Sequence, residues 1–113
     1  MSITYSNFFA PTVLTTTAAT LLTVPVTPTS SLLRGGRVRL TNTTAGAVTA
    51  TLYAVPLAGT AAAGNCFASA ISVPANNYLD VDVPIMPAGA FMQALAGANT
   101  SLTIHMLAGG LYS

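Results

Sequence analysis

Residues 37–41 read RVRLT and residues 78–83 read YLDVDV, so charged and apolar side chains alternate along both segments. A period of two places the apolar residues on one face of a β-strand and the polar residues on the other. We therefore expect Val38 and Leu40 to face inwards and the two arginines to face outwards. Such half-buried strands are typical of antiparallel sheets.

Two further segments, 48–54 (VTATLYA) and 101–106 (SLTIHM), alternate in the same way. Weaker strand patterns occupy residues 12–16, 20–24, 67–73 and 91–96. We expect the first two of these to form a short pair around a turn at Ala18, and Gly35-Gly36 to mark a turn between strands. The run 60–64 (TAAAG) is consistent with a loop or one helical turn, and we favour the loop.

The strand count and spacing predict an all-β fold. Seven or eight short strands, separated by turns at intervals of about 8 to 12 residues, indicate a single antiparallel β-sandwich with a jelly-roll-like topology. The length of 113 residues fits one domain, which we assign to residues 1–113. Within it, residues 1–11 are either an N-terminal arm that reaches a neighbouring subunit or part of the first strands.

Charged residues are unusually scarce. They make up 4% of the chain, as three Arg and two Asp, with no Lys and no Glu, whereas ordinary domains have about 25%. A mean hydropathy of +0.67 argues against disorder. With a net charge of only +1, the chain also lacks the stripe of basic residues that nucleic-acid binding requires. No run of about 18 apolar residues occurs, so we expect no membrane-spanning helix. We predict neither nucleic acid nor membrane as a partner.

Few side chains are suited to acid–base or metal chemistry. Asp80 and Asp82 share one strand face, and His105 faces outwards on another strand, but a metal site needs three or four convergent ligands. Cys66 is the single cysteine and cannot form an internal disulfide. The first residues lack the positive region of a signal peptide, so the glycosylation sequon at Asn42 carries little weight. We expect no enzymatic activity, no cofactor and no metal.

All positive side chains lie within six residues, at Arg34, Arg37 and Arg39, and all negative ones lie at Asp80 and Asp82. The matching two-residue spacing allows a ladder of bidentate ion pairs, either between strands of one subunit or between subunits. One interpretation is a surface ion-pair cluster of little energetic weight. The other is a device that sets register and selects the partner at a subunit contact.

The scarcity of charge also bears on solubility. A protein with few surface charges tends to associate, and the edges of a sandwich are normally protected by Lys or other charges. This chain has no Lys at all. We therefore expect its edges and faces to be covered by partner subunits in a large assembly.

Four segments, 38–44, 48–53, 87–96 and 101–110, carry a family resemblance. In order and spacing they resemble small β-sandwich virion proteins of tailed bacteriophages, which serve as capsid decoration (cement), neck or tail components. The resemblance covers roughly residues 12 to 110 and rests on strand and turn patterns. It implies a structural role in the virion and transfers no catalytic residue.

These observations predict a capsid decoration protein that binds the assembled phage head and stabilises it. Its expected partners are the major capsid protein or other virion proteins, and copies of itself as a dimer or trimer. Besides the five charged residues, Tyr5, Phe8 and Phe9 are candidate apolar anchors at the subunit interface, although Phe8 and Phe9 fit core packing equally well. The alternatives are a neck, tail or fibre-associated component and, more remotely, a carbohydrate-binding module, for which the absence of Trp is unfavourable.

Overall fold

The computed structural model describes residues 3–5, 8–27 and 29–112, and the regular secondary structure of this part of the chain is almost entirely β. One 3₁₀ turn, Ala63–Asn65, is its single helical element. The strands are β1 Ile3–Tyr5, β2 Thr12–Val13, β3 Ala19–Thr23, β4 Leu32–Asn42, β5 Val48–Val55, β6 Cys66–Val73, β7 Asn77–Val83, β8 Met86–Pro87, β9 Phe91–Ala96 and β10 Leu102–Tyr112. No helix in the described residues is long and apolar enough to cross a membrane.

The strands form two antiparallel sheets. Sheet A has the order β1-β10-β4-β7, with β2 also paired to β10 and β8 to β4. Sheet B has the order β3-β9-β5-β6. When β1 and β8 are set aside, the remaining eight strands form two four-stranded sheets, β2-β10-β4-β7 and β3-β9-β5-β6. Apart from β5 and β6, which are neighbours in sheet B, the successive strands among these eight alternate between the sheets in the manner of a jelly roll, which confirms the predicted sandwich.

The core lies between the two sheets, where the inner residues of each strand meet. Sheet A contributes mainly large side chains, including Val38, Leu40 and Ile104, none of which is accessible to solvent. Sheet B alternates smaller residues with larger ones along the same inner face, as in Ala50 and Leu52. Because these five residues occupy the apolar positions of the alternating segments, the period-two pattern predicted their burial correctly.

Two local predictions were wrong. The segments near residues 12–16 and 20–24 do not pair with each other, because β2 joins β10 in sheet A and β3 joins β9 in sheet B. Gly35-Gly36 does not separate two strands but lies inside β4, where Gly35 has a φ of 70° and the register with β10 shifts. Glycine here supplies a β-bulge instead of a turn.

Asn42 ties the two sheets together at one end of the sandwich. It is buried at the end of β4, and its Nδ2 donates hydrogen bonds to the carbonyl oxygens of Gly46 (2.9 Å) and Val73 (3.1 Å). Its Oδ1 accepts from the backbone N–H of Thr44 (2.9 Å) and from the Thr44 hydroxyl (2.6 Å). Since Val73 ends β6, this side chain connects sheet A to sheet B. The Nδ2 atom of Asn42, to which a glycan would be attached at this sequon, therefore makes two hydrogen bonds within the fold.

Candidate functional site

Four of the five charged residues form an ion-pair ladder, Arg37–Asp82 and Arg39–Asp80, across the outer face of sheet A. Strands β4 and β7 are antiparallel neighbours, and their register places Arg37 opposite Asp82 and Arg39 opposite Asp80. The Nε atoms of the arginines lie 3.0 Å and 2.8 Å from the Oδ1 atoms of their partners. The structure thus shows the predicted ladder within one chain.

The two rungs of the ladder differ in geometry. Arg39 binds Asp80 through two parallel bonds, since its Nη2 also donates to Oδ2 at 3.1 Å, and its Cζ lies 4.1 Å from the centre of the Tyr78 ring. The Arg37–Asp82 rung has a single bond, and its side chains are 54% and 80% exposed. The side chains of the Arg39–Asp80 rung are 37% and 28% exposed, and we call this pair the inner rung. The Arg39–Asp80 rung is therefore the less exposed of the two and the one with bidentate geometry.

The inner rung also changes the acidity of its carboxyl group. The hydrogen bonds from Arg39 hold the pKa of Asp80 below its ordinary value, and the charges of Arg39 and Arg37 act in the same direction. The same contact raises the pKa of Arg39. Both groups are accordingly held in their charged forms.

His105 lies beside the ladder without completing a metal or acid–base site. It faces Arg39 from β10, so β4 stands between the imidazole and Asp80, at a distance of about two strand spacings, or roughly 10 Å. Both carboxylates already bind arginines. No group of three or more potential metal ligands occurs among the described residues, and Cys66 is a half-buried free thiol.

Sheet B differs from sheet A in having no charged side chain on any of its strands. Its four strands read ATLLT, VTATLYAV, CFASAISV and FMQALA, whereas all five charged residues and the histidine lie on β4, β7 and β10 of sheet A. On the outer face of sheet B, Thr51 pairs with Leu95 and Tyr53 with Gln93, and all four side chains are partly exposed. We call this surface the neutral face.

The three aromatic residues proposed as anchors lie in the chain's own sandwich or beside it. Tyr5 belongs to β1, opposite Gly110 of β10, and its side chain is outside the described residues. Phe9 is buried in the core with 9% exposure, and the half-buried Phe8 packs against that core. Both phenylalanines therefore follow the core-packing alternative in the isolated chain, and we do not assign Phe9 to a contact surface.

A groove opens on sheet A where strands β4 and β10 both bulge, and we call it the bulge groove. Leu107 is the extra residue on β10, and Gly35 lies in the irregular stretch of β4. The cavity has a volume of about 730 Å³, and its lining consists of Pro11, Arg34, Gly35, His105, Met106, Leu107, Ala108, Gly109, Gly110 and Tyr112. Arg34 thus stands at this groove, apart from the ladder formed by the other two arginines.

Neither the neutral face nor the bulge groove was predicted from the sequence. A signal for the first was present, since every charge falls on segments that belong to one sheet. That sheet assignment depends on which strands pair, and the sequence does not state it. The groove had a fainter signal in the glycine pairs at 35–36 and 109–110, which mark places where a strand becomes irregular.

No protein family model matches this sequence, and no curated protein sequence is similar to it. Among solved structures, a chain in the structure of infectious bursal disease virus, Gx strain, aligns with 97% of this chain at 15% identity and a TM-score of 0.47. The aligned part is 31% of the viral chain, so this chain spans less than a third of that chain's length.

Proposed function

We propose that this chain is a virion structural protein, and specifically a capsid decoration (cement) protein that binds the outside of an assembled phage head. The observation that carries the proposal is the uneven distribution of charge, with all charged side chains on sheet A and none on sheet B. The jelly roll is a fold that recurs in viral capsid proteins. The restriction to tailed phages comes from the sequence resemblance.

The neutral face has the composition of a surface that is covered in an assembly. The centres of protein interfaces are depleted in charge and enriched in aromatic residues, and the neutral face presents Tyr53, Phe91 and Leu95 among threonines. Burying these groups against a neighbour removes apolar area from water without stranding any charge. We propose this face as the contact with the major capsid protein or with further copies of the chain in a dimer or trimer.

Stabilisation of the head would follow from mass action. A protein that binds the closed shell but not the free subunits lowers the free energy of the shell alone, by about 2.7 kcal/mol per site when its free concentration is about 100 times Kd. This role needs binding energy and no catalytic group. We accordingly propose a structural protein and not an enzyme.

Copy number tests the proposal and separates it from its nearest alternative. The protein is quantified by mass spectrometry in purified virions of the phage that encodes it, with the major capsid protein as the internal standard. For a decoration protein, we expect hundreds of copies per particle. We also expect the head to lose stability when these copies are released from it. Tens of copies would identify a neck, tail or fibre-associated component, and absence from the particle would refute the virion role.

The contact surface is tested by adding a charge to the neutral face. Leu95→Lys should abolish incorporation into heads, because an ammonium group buried against an uncharged neighbour loses its hydration. Leu95→Gln is the matched control, because it also removes the apolar group but adds no charge, and we expect it to reduce incorporation only moderately. Equal incorporation of both variants and the wild type would exclude this face.

The ladder remains a candidate recognition element, and a charge exchange tests it. The double substitution Arg39→Asp with Asp80→Arg keeps an ion pair between the same strands but reverses the pattern that a partner meets. If the ladder selects the partner, the exchanged protein should fail to incorporate while remaining folded. Normal incorporation would restrict the ladder to a role within the chain.

A further inference from the structure

The bulge groove carries the one positive side chain that the chain does not neutralise. The sequence has three Arg, two Asp and no Glu, and the two carboxylates bind Arg37 and Arg39. No side-chain carboxylate therefore remains for Arg34, which is exposed and lines the groove. The side chain that accounts for the net charge of +1 thus lines the bulge groove.

A second polar group in the groove also has unused hydrogen-bonding capacity. His105 lines the same cavity, and its Nδ1 atom is buried without a hydrogen-bond partner among the residues that the structure describes. Buried polar atoms are nearly always paired, so an unpaired one indicates strain or a missing ligand. Both residues line the groove, but at different points along it, because His105 lies opposite Arg39 whereas Arg34 lies opposite Gly110.

The shape of the groove comes from the two bulges. Gly35, Gly109 and Gly110 line it without side chains, and nothing lies within 4 Å of the position that a Cβ of Gly35 would occupy. Bulges interrupt regular pairing and leave backbone groups of the strand available. The lining also includes the apolar side chains of Pro11, Met106 and Leu107.

These features select the chemistry of the ligand. A guanidinium binds a carboxylate through two parallel hydrogen bonds, whereas nucleic acid and polyphosphates call for several cations. One cation beside apolar walls suits a single carboxylate flanked by apolar groups. We propose that the bulge groove binds an acidic peptide segment, with Arg34 holding an Asp or Glu carboxylate and Met106 and Leu107 packing against its apolar neighbours.

The source of that segment, a neighbouring virion protein, rests on the proposed function, whereas the chemistry of the groove does not. The binding test therefore uses the isolated protein and a synthetic probe. The peptide acetyl-Leu-Glu-Leu-amide is titrated into ¹⁵N-labelled protein, and the amide shifts of Gly35, Gly109 and Gly110 are followed by NMR. Parallel titrations use the Gln-containing peptide and inorganic phosphate.

The expected result is saturable shifts at these glycines with the Glu peptide and at least about tenfold weaker binding of the Gln peptide. Arg34→Gln should reduce affinity for the Glu peptide by a similar factor, whereas Arg37→Gln, which removes an arginine outside the groove, should change it by less than about twofold. Arg34→Lys should restore part of the affinity, since it keeps the charge but loses the planar fork.

Three results would overturn the assignment: no shifts with the Glu peptide, equal binding of the Gln peptide, or shifts with phosphate alone. Arg34 is exposed, so its substitutions should leave the dispersion of the NMR spectrum intact, which shows that lost binding is not lost folding. If the groove binds the peptide but the protein is absent from virions, the proposed function fails and the groove assignment stands. If the protein is incorporated into virions but does not bind the peptide, the groove assignment fails and the proposed function stands.

Discussion

At the residue scale, Asn42 shows how one polar side chain can join the two layers of a sandwich. Its amide makes four hydrogen bonds, and three of the partners are backbone groups. These groups belong to the turn that follows β4 and to the last residue of β6. An apolar side chain at this position would leave them unpaired in a dry environment, where such groups are costly.

We expect Asn42→Ala to lower the free energy of unfolding by about 3 kcal/mol, because it strands several buried polar groups at once. Asn77→Ala is the matched control. Asn77 is paired with Asn42 across β4 and β7, but it is exposed and its side chain bonds only the adjacent N–H of Tyr78. We expect its replacement to cost less than about 0.5 kcal/mol. Urea denaturation of both variants measures the two losses, and similar values would contradict the connecting role of Asn42.

At the scale of elements, the pairing of β4 with β7 could be predicted from sequence to a considerable extent. Both strands alternate, and both place like charges two residues apart, so a single register neutralises both pairs. The strands with which β2 and β3 pair, β10 and β9 respectively, could not be predicted. The jelly roll sends these two strands to opposite sheets, and their Thr-rich sequences contain no feature that distinguishes this path from a hairpin.

A β-bulge explains the other wrong prediction at this scale, the turn at Gly35-Gly36. Gly35-Gly36 and Gly109-Gly110 have the composition of turns, yet they lie inside the long strands β4 and β10. These two strands pair with each other, and the pairing continues past the glycines with a shift in register. On β6, Ala70 adopts a φ of 46°, and its N–H donates to the Thr51 hydroxyl at 3.1 Å in place of a regular ladder bond. Bulges on edge strands such as β6 hinder edge-to-edge pairing. The fold thus protects the β6 edge of sheet B by geometry, since no strand of that sheet carries a charge.

The inner rung between β4 and β7 should make stability depend on acid. Because the pKa of Asp80 is lowered in the folded chain, its contribution is fully present above its unfolded pKa of about 3.9 and is lost as pH falls through the lower folded value. The stability difference between wild type and Asp80→Asn should be constant above about pH 5 and shrink below about pH 4.

Chemical denaturation at a series of pH values, from above about pH 5 to well below about pH 4, measures that dependence. Asp82→Asn is the control, because it leaves the Arg39–Asp80 contact in place and should retain the acid dependence that Asp80 causes. A difference that persists unchanged into strong acid would show that Asp80 acts through packing and not through its charge.

At the scale of the whole molecule, the decisive property is that the charges neutralise each other within the chain. Four of the five charged side chains pair on one face of sheet A, and the opposite sheet has none. Long-range attraction or repulsion between copies is therefore weak. We therefore propose that association of copies depends on contact between neutral surfaces, whose strength salt does not screen.

Salt dependence distinguishes a neutral contact from one mediated by the ladder. Raising NaCl from about 0.05 M to about 0.5 M shortens the Debye length to a few ångströms and suppresses attraction between exposed charges. For self-association through the neutral face, we expect the association constant, measured by analytical ultracentrifugation, to fall by less than about twofold. If ion pairs between subunits held the assembly, the same change should weaken it by about tenfold or more.

The Arg39→Asp with Asp80→Arg exchange adds a second criterion: it should leave association through the neutral face unchanged at both salt concentrations. A loss of association confined to low salt would instead place the ladder in the contact.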